Sequence, residues 1–115
     1  MPPERRIALG PVAAISDRSC TAVADGQAVV LRIGDRVIAY RNRCLHQDSP
    51  LDGGWVRDGV LTCPLHFWRY RADDGTVVGG ADALEAYPVD VVDGDAFLTL
   101  PPPPERRSIR DELLA

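Results

Sequence analysis

The chain contains no lysine, and all thirteen of its basic residues are arginines. Against seventeen acidic residues this leaves a net charge of −4. Such a balance excludes the basic stripe of a nucleic-acid binder and suits a carrier that docks by electrostatic steering. Cysteine is scarce too: three in 115 residues, an odd number and too few for a disulfide scaffold, which points to a reducing compartment. No apolar run approaches a membrane span. No apolar stretch follows Met1-Pro2-Pro3-Glu4-Arg5-Arg6, so no secretory signal is expected and the cytoplasm is the expected location. The length allows one domain with a modest core.

Helical periodicity is also missing before residue 100. Short apolar runs punctuated by Gly and Asp take its place, predicting an all-β fold: a small antiparallel sandwich or barrel. Ala28 to Ile33 and Arg36 to Arg41 flank Gly34-Asp35, a tight hairpin turn. In that register Leu31 faces Ile38 and Val29 faces Tyr40, with Ile33 on the same side. The other side, with Arg32, Arg41 and smaller residues, is expected to be wet. A second hairpin spans Val89 to Leu100 around Asp93-Gly94, with Val89, Val91, Ala96, Leu98 and Leu100 on one face. Shorter strands are expected at Cys20 to Ala24, Val60 to Thr62, Phe67 to Arg71 and Thr76 to Val78. Prolines 101–104 end the sheet region, so the expected division is a domain over 1–100, then a proline linker and short tail over 101–115. In that tail Ser108 and Asp111 read as a helix start that would pair Ile109 with Leu113, although so short a segment is expected to fray.

What is present in concentrated form is metal-ligand chemistry. Both histidines lie just beyond a cysteine, in Cys44-Leu45-His46 and Cys63-Pro64-Leu65-His66, with sixteen residues, Gln47 to Thr62, between the clusters. Two thiolates and two imidazoles can complete one four-ligand centre. Each pair is expected at the tip of a β-hairpin, and the glycines of the segment from Gln47 to Gly54 would let backbone N–H groups approach a metal or sulfide. A structural Cys2His2 zinc site is one reading. Zinc fingers, however, take two cysteines from one knuckle and two histidines from a helix. Here each segment supplies one of each, which suits a two-iron cluster with both thiolates on one iron and both imidazoles on the other.

With this spacing the chain resembles the Rieske [2Fe–2S] family, in its soluble bacterial ferredoxins. The resemblance runs from about Val30 to Leu100 and includes His46-Gln47-Asp48-Ser49-Pro50-Leu51 and His66-Phe67-Trp68-Arg69-Tyr70. It implies a [2Fe–2S] cluster, with Cys44 and Cys63 on the inner iron and His46 and His66 on the outer. Imidazoles in place of two thiolates make the site less negative. Such centres therefore work at about −150 to +300 mV, against about −400 mV for plant-type clusters. Respiratory members pair two further loop cysteines and set a serine and a tyrosine hydroxyl near the sulfurs. Here Ser49 and Leu65 stand in those cysteine places, and Phe67 and Trp68 follow His66 where a serine would. Few hydroxyl donors, and so a potential near the lower end of the range, are expected. The free ring nitrogens of His46 and His66 are expected to face solvent and make the potential fall as pH rises.

Oxygenase catalytic subunits of the same family need a second iron held by two histidines and a carboxylate. Both histidines here are already assigned, so the resemblance implies an electron carrier and no catalytic residues. Its expected partners are a flavoprotein reductase dependent on NAD(P)H and a terminal oxygenase, with no nucleic acid and no membrane. The alternatives are the small subunit of an assimilatory nitrite reductase and a zinc-stabilised interaction module. Of the remaining residues, Trp68 is expected to pack beneath the cluster, and Trp55 to serve as a docking aromatic or an ordinary core one. Cys20 is expected to be a small buried apolar residue, and Asp48, Asp52 and Asp58 to ring the cluster end.

Overall fold

The computed structural model describes residues 4–45, 49–64 and 67–101. Its strands are β1 (Arg5–Pro11), β2 (Thr21–Val23), β3 (Ala28–Ile33), β4 (Arg36–Arg41), β5 (Trp55–Arg57), β6 (Val60–Thr62), β7 (Arg69–Arg71), β8 (Ala86–Tyr87), β9 (Val89–Val92) and β10 (Asp95–Leu100). All strand pairing is antiparallel, in sheets ordered β1-β10-β9, β2-β3-β4-β8 and β5-β6-β7. One short 3-10 turn at Val12–Ala14 is the sole helical element among the described residues. None of those residues forms a helix long and apolar enough to cross a membrane.

The β3–β4 hairpin has the expected register, with Leu31 opposite Ile38 and Val29 opposite Tyr40. Gly34 has φ +61°, which suits a turn whose first central position needs glycine. Its second face is not wet. Ala28, Val30, Val37 and Ala39 are buried against Ile15, Ala96, Leu98 and Leu100, because the β1-β10-β9 sheet packs over them. The hairpin is thus the middle layer, buried on both sides, and its near-continuous apolar runs Ala28-Val29-Val30-Leu31 and Val37-Ile38-Ala39-Tyr40 belong to such a strand pair. Arg32, at the hairpin's turn end, stays partly in water and donates from Nε to the Ile15 carbonyl at 2.9 Å.

The other face of β3–β4 builds a second core. Val29, Leu31, Ile38 and Tyr40 meet Cys20, Cys44, Leu51, Leu61, Cys63, Tyr70, Ala72 and Leu84. Each fully buried Leu or Val there contributes about 1.5–3 kcal/mol. The Tyr40 hydroxyl donates to the Ala72 carbonyl at 2.7 Å, and its ring lies against Gly75, where an added Cβ would sit 2.7 Å from the ring. Position 75 therefore needs glycine for the close approach as well as for its φ of +79°.

Several boundaries differ from expectation. β7 begins at Arg69, not Phe67, because Phe67 has φ +57° and is not extended. Thr76 to Val78 makes only the isolated bridges Tyr70–Val77 and Thr76–Ala83. β2 stops at Val23 because Ala24 and Asp25 both adopt positive φ. β1, β5 and β8 carry no clear alternation and are found only through their partners. The second hairpin keeps its register, Leu98 opposite Val89 and Ala96 opposite Val91. Val91 nevertheless remains exposed, since β9 is an edge strand beyond the reach of the core. Residues 102–115, with the expected tail helix, lie outside the described residues.

Candidate metal centre

Cys44 follows β4 and Cys63 follows β6, and the two segments reach the same core from different sheets. Both side chains are fully buried and belong to the core that also holds Tyr70, Leu51 and Leu61. His46 and His66 lie outside the described residues. Among the described residues no group of three or more His, Cys, Asp or Glu side chains could hold a metal ion.

One hydrogen-bond pattern recurs in both segments. The Cys44 N–H donates to the carbonyl of Ser49 at 2.7 Å, and the Cys63 N–H donates to the carbonyl of Trp68 at 2.8 Å. In each case the cysteine is tied to the residue five positions on, so the ends of the two histidine-bearing segments are drawn together alike. The second segment lies at a hairpin tip, between β6 and β7, as expected. The first does not. The strand after it, β5, pairs with β6 and not with β4, so the segment crosses between sheets.

That crossing is held by Asn42. Its Oδ1 accepts from the N–H groups of Leu51 at 2.6 Å and Asp52 at 3.0 Å. Its Nδ2 donates to the Gly26 carbonyl at 3.0 Å and to Asp52 Oδ1 at 2.9 Å. One side chain thereby uses both of its polar atoms to fold residues 51–52 back on the end of β4. Gly54 seals the crossing against β6: a Cβ there would lie 2.6 Å from the Thr62 carbonyl oxygen and 2.9 Å from that of Leu51. Glycine is needed here for backbone packing. The Gly54 N–H donates to the Leu51 carbonyl at 2.9 Å.

Tyr70 joins the two segments. Alternation along β7 leaves Arg69 and Arg71 exposed and turns Tyr70 inward. Its hydroxyl oxygen accepts from the Leu45 N–H at 3.0 Å and lies 3.1 Å from Cys44 Sγ. Burial, and then the contact with Cys44, raise the phenol far above its ordinary pKa, while the Leu45 N–H acts the other way. One phenol thus reaches a cysteine sulfur, while Phe67 and Trp68 leave the serine position after His66 without a hydroxyl. Neither Tyr70 nor Asn42 was singled out for these roles by the sequence. For Tyr70 the available signal was the Arg-Tyr-Arg alternation.

Cys20 is buried as expected, but it has a partner. Its Sγ donates to the Leu51 carbonyl at 2.9 Å, and its backbone pairs with Gly53 and Gly54. Burial, first of all, pushes its thiol pKa up from 9.0 to about 11. Trp68 is 37% exposed and Trp55 is 42% exposed. The Trp55 ring meets Phe67 at a centroid distance of 5.8 Å, and Phe67, 64% exposed, is the residue after His66. Leu45, in the first segment, is a further exposed apolar side chain. Of the acidic ring, Asp48 lies outside the described residues. Asp52 is exposed beside the first segment, whereas Asp58 sits in the β5–β6 turn, at the other end of that hairpin from Cys63.

An antiparallel β fold that buries two cysteines, one from each of two similarly tied segments, defines a cluster-binding β domain. The sequence model of the Rieske [2Fe-2S] domain matches residues 6–89, and the chain belongs to that family, whose domain carries a [2Fe–2S] cluster. The 3-phenylpropionate/cinnamic acid dioxygenase ferredoxin subunit of Shigella flexneri serotype 5b (strain 8401) is 29% identical over 100 residues, 84% of this chain and 94% of that protein. Methylxanthine N1-demethylase NdmA of Pseudomonas putida is 43% identical over 44 residues, and this chain covers 12% of its length. Among solved structures, the ferredoxin of carbazole 1,9a-dioxygenase from Nocardioides aromaticivorans IC177 superposes with a TM-score of 0.63 at 25% identity, covering 83% of this chain and 98% of that one.

The residues present fit such a cluster. Two buried cysteine sulfurs, brought by different segments, share one core, and a phenol is placed on one of them. A buried Ser49 hydroxyl has no partner among the described residues.

Proposed function

We propose that this chain is a one-electron carrier, a Rieske-type ferredoxin that takes electrons from an NAD(P)H-dependent flavoprotein reductase and passes them to a terminal oxygenase. The observation that carries it is the pair of segments in which Cys44 and Cys63 are buried in one core and tied alike to the fifth residue on. The named ferredoxin relatives of matching length support the same reading. In it, Cys44 and Cys63 hold the inner iron and His46 and His66 the outer, within a domain of residues 1–100. When bound, the cluster supplies reversible storage of a single electron. The Cys-x-His and Cys-x-x-His spacing of the two segments, as in the family, is what assigns the remaining ligands to the two histidines.

The protein's own groups then set the properties of the site. Burial of both cysteines keeps water from the sulfurs. Tyr70, whose oxygen already accepts from the Leu45 N–H, has its O–H left to donate to a Cys44 thiolate. Leu45, Trp55 and Phe67 offer a partner an apolar contact beside the histidine-bearing segments, and Asp52 adds negative charge next to it. The proposed setting is the cytoplasm, where cysteines stay reduced.

Aerobic purification with iron and acid-labile sulfide analysis tests the reading, followed by EPR of the dithionite-reduced protein. Two irons and two sulfides per chain with a Rieske-type signal are expected. Zinc in a colourless protein would reject it. Replacing His46 or His66 by alanine should abolish that signal.

A further inference from the structure

We infer that the side-chain hydroxyl of Ser49 is a hydrogen-bond donor to the sulfur of the bound cluster, and so a residue that tunes its potential. The inference rests on the cluster reading above. Ser49 Oγ is buried and has no hydrogen-bond partner among the described residues. A hydroxyl left so forfeits its hydration without compensation, and native proteins seldom leave one without a reason. The Ser49 carbonyl accepts from the Cys44 N–H at 2.7 Å, so this residue lies alongside a proposed ligand. Nearby polar groups are already engaged: Cys20 Sγ with the Leu51 carbonyl, Asn42 with Leu51 and Asp52, and Tyr70 with Cys44 and Leu45.

A cluster would supply the acceptor that Ser49 lacks. Cysteine thiolates and inorganic sulfides are acceptors only, and they carry more negative charge after reduction. A donor aimed at them therefore stabilises the reduced state more than the oxidised one and raises the potential. The Tyr70 hydroxyl lies 3.1 Å from Cys44 Sγ, and Ser49 supplies a second hydroxyl.

Spectroelectrochemistry and resonance Raman of the holoprotein, in H2O and D2O, test this with Ser49→Ala and Ser49→Thr. The alanine variant should keep a Rieske-type EPR signal and show a potential shifted downward. It should also lose part of the D2O-induced shift of the Fe–S stretching bands. The threonine variant, which keeps the hydroxyl, should restore both. An alanine variant with an unchanged potential and unchanged D2O shift overturns the inference, more so if it is also thermally more stable, as removal of an orphaned hydroxyl would make it. Should the alanine variant not assemble, Ser49→Cys, a weaker donor, decides by the same two measurements. A wild-type protein with no iron–sulfur signal would instead reject the cluster reading itself.

Discussion

The hydroxyl of Tyr70 lies 3.1 Å from Cys44 Sγ while accepting the Leu45 N–H at 3.0 Å, so one phenol spans from β7 to the first cysteine-bearing segment. It engages a proposed ligand and the backbone next to it at once. Tyr70→Phe removes both contacts without changing the packing of the ring. The potential should fall, because a thiolate without its donor is less tolerant of added charge. Stability should drop by about 1–3 kcal/mol through the unsatisfied Leu45 N–H. Potentiometry and thermal unfolding check the two effects, and an unchanged potential would mean the phenol does not face the thiolate in the loaded protein.

Asn42 holds the crossing segment through both of its side-chain atoms. Asn42→Ala should destabilise the fold by about 2–4 kcal/mol, since the buried Leu51 N–H then lacks its acceptor and several bonds are lost together. The rate of cluster loss on incubation with a chelator should rise in parallel. Asn42→Asp keeps the acceptor for Leu51 and Asp52 but cannot donate, and it sets a second carboxylate beside Asp52. It should be destabilised in between. Equal chelator sensitivity in all three proteins would remove Asn42 from any part in holding the site.

Cys20 makes stability depend on pH at the alkaline end. Its folded pKa, about 11, is above the ordinary 9.0 because the thiol is buried. As pH rises, the unfolded thiol loses its proton first, which favours the unfolded state. The contribution is fully present below about pH 9 and is lost as pH climbs toward 11. Urea unfolding midpoints should decline across that window. Cys20→Ser has no group titrating there and keeps a donor for Leu51, so its decline should be shallower.

Phe67 has φ +57°, a conformation glycine adopts without strain, and its ring is exposed against Trp55. Phe67→Gly should therefore leave the melting temperature unchanged or slightly higher, while removing half of the aromatic surface. Under the proposed function, stopped-flow electron transfer to a partner oxygenase should slow several-fold at unchanged potential. Trp55→Ala should act likewise. Rates equal to wild type for both would place the partner contact elsewhere.

Much of the architecture could be read before any coordinates. The β3–β4 and β9–β10 registers followed from period-2 alternation around Gly34-Asp35 and Asp93-Gly94, because a side chain's face in a strand depends only on its parity. Parity names the two faces but not what covers each. The face with Val30 and Ala39 was therefore expected in water, when β10 lies over it. The same limit hid the crossing after Cys44: local turn chemistry cannot tell whether the next strand returns to β4 or joins β6.

The pairing of one cysteine and one histidine in each of two segments was determined by the sequence, since ligand identity and spacing are local properties of the chain. So were the all-β character and the main turns, which rest on side-chain parity and glycine φ. Only the tertiary structure decided that Tyr70 meets Cys44, that Asn42 clasps Leu51 and Asp52, and that the Ser49 hydroxyl is sealed from water. Those contacts join segments brought together by packing, and burial is a property of the whole assembly of sheets that no single stretch of residues encodes.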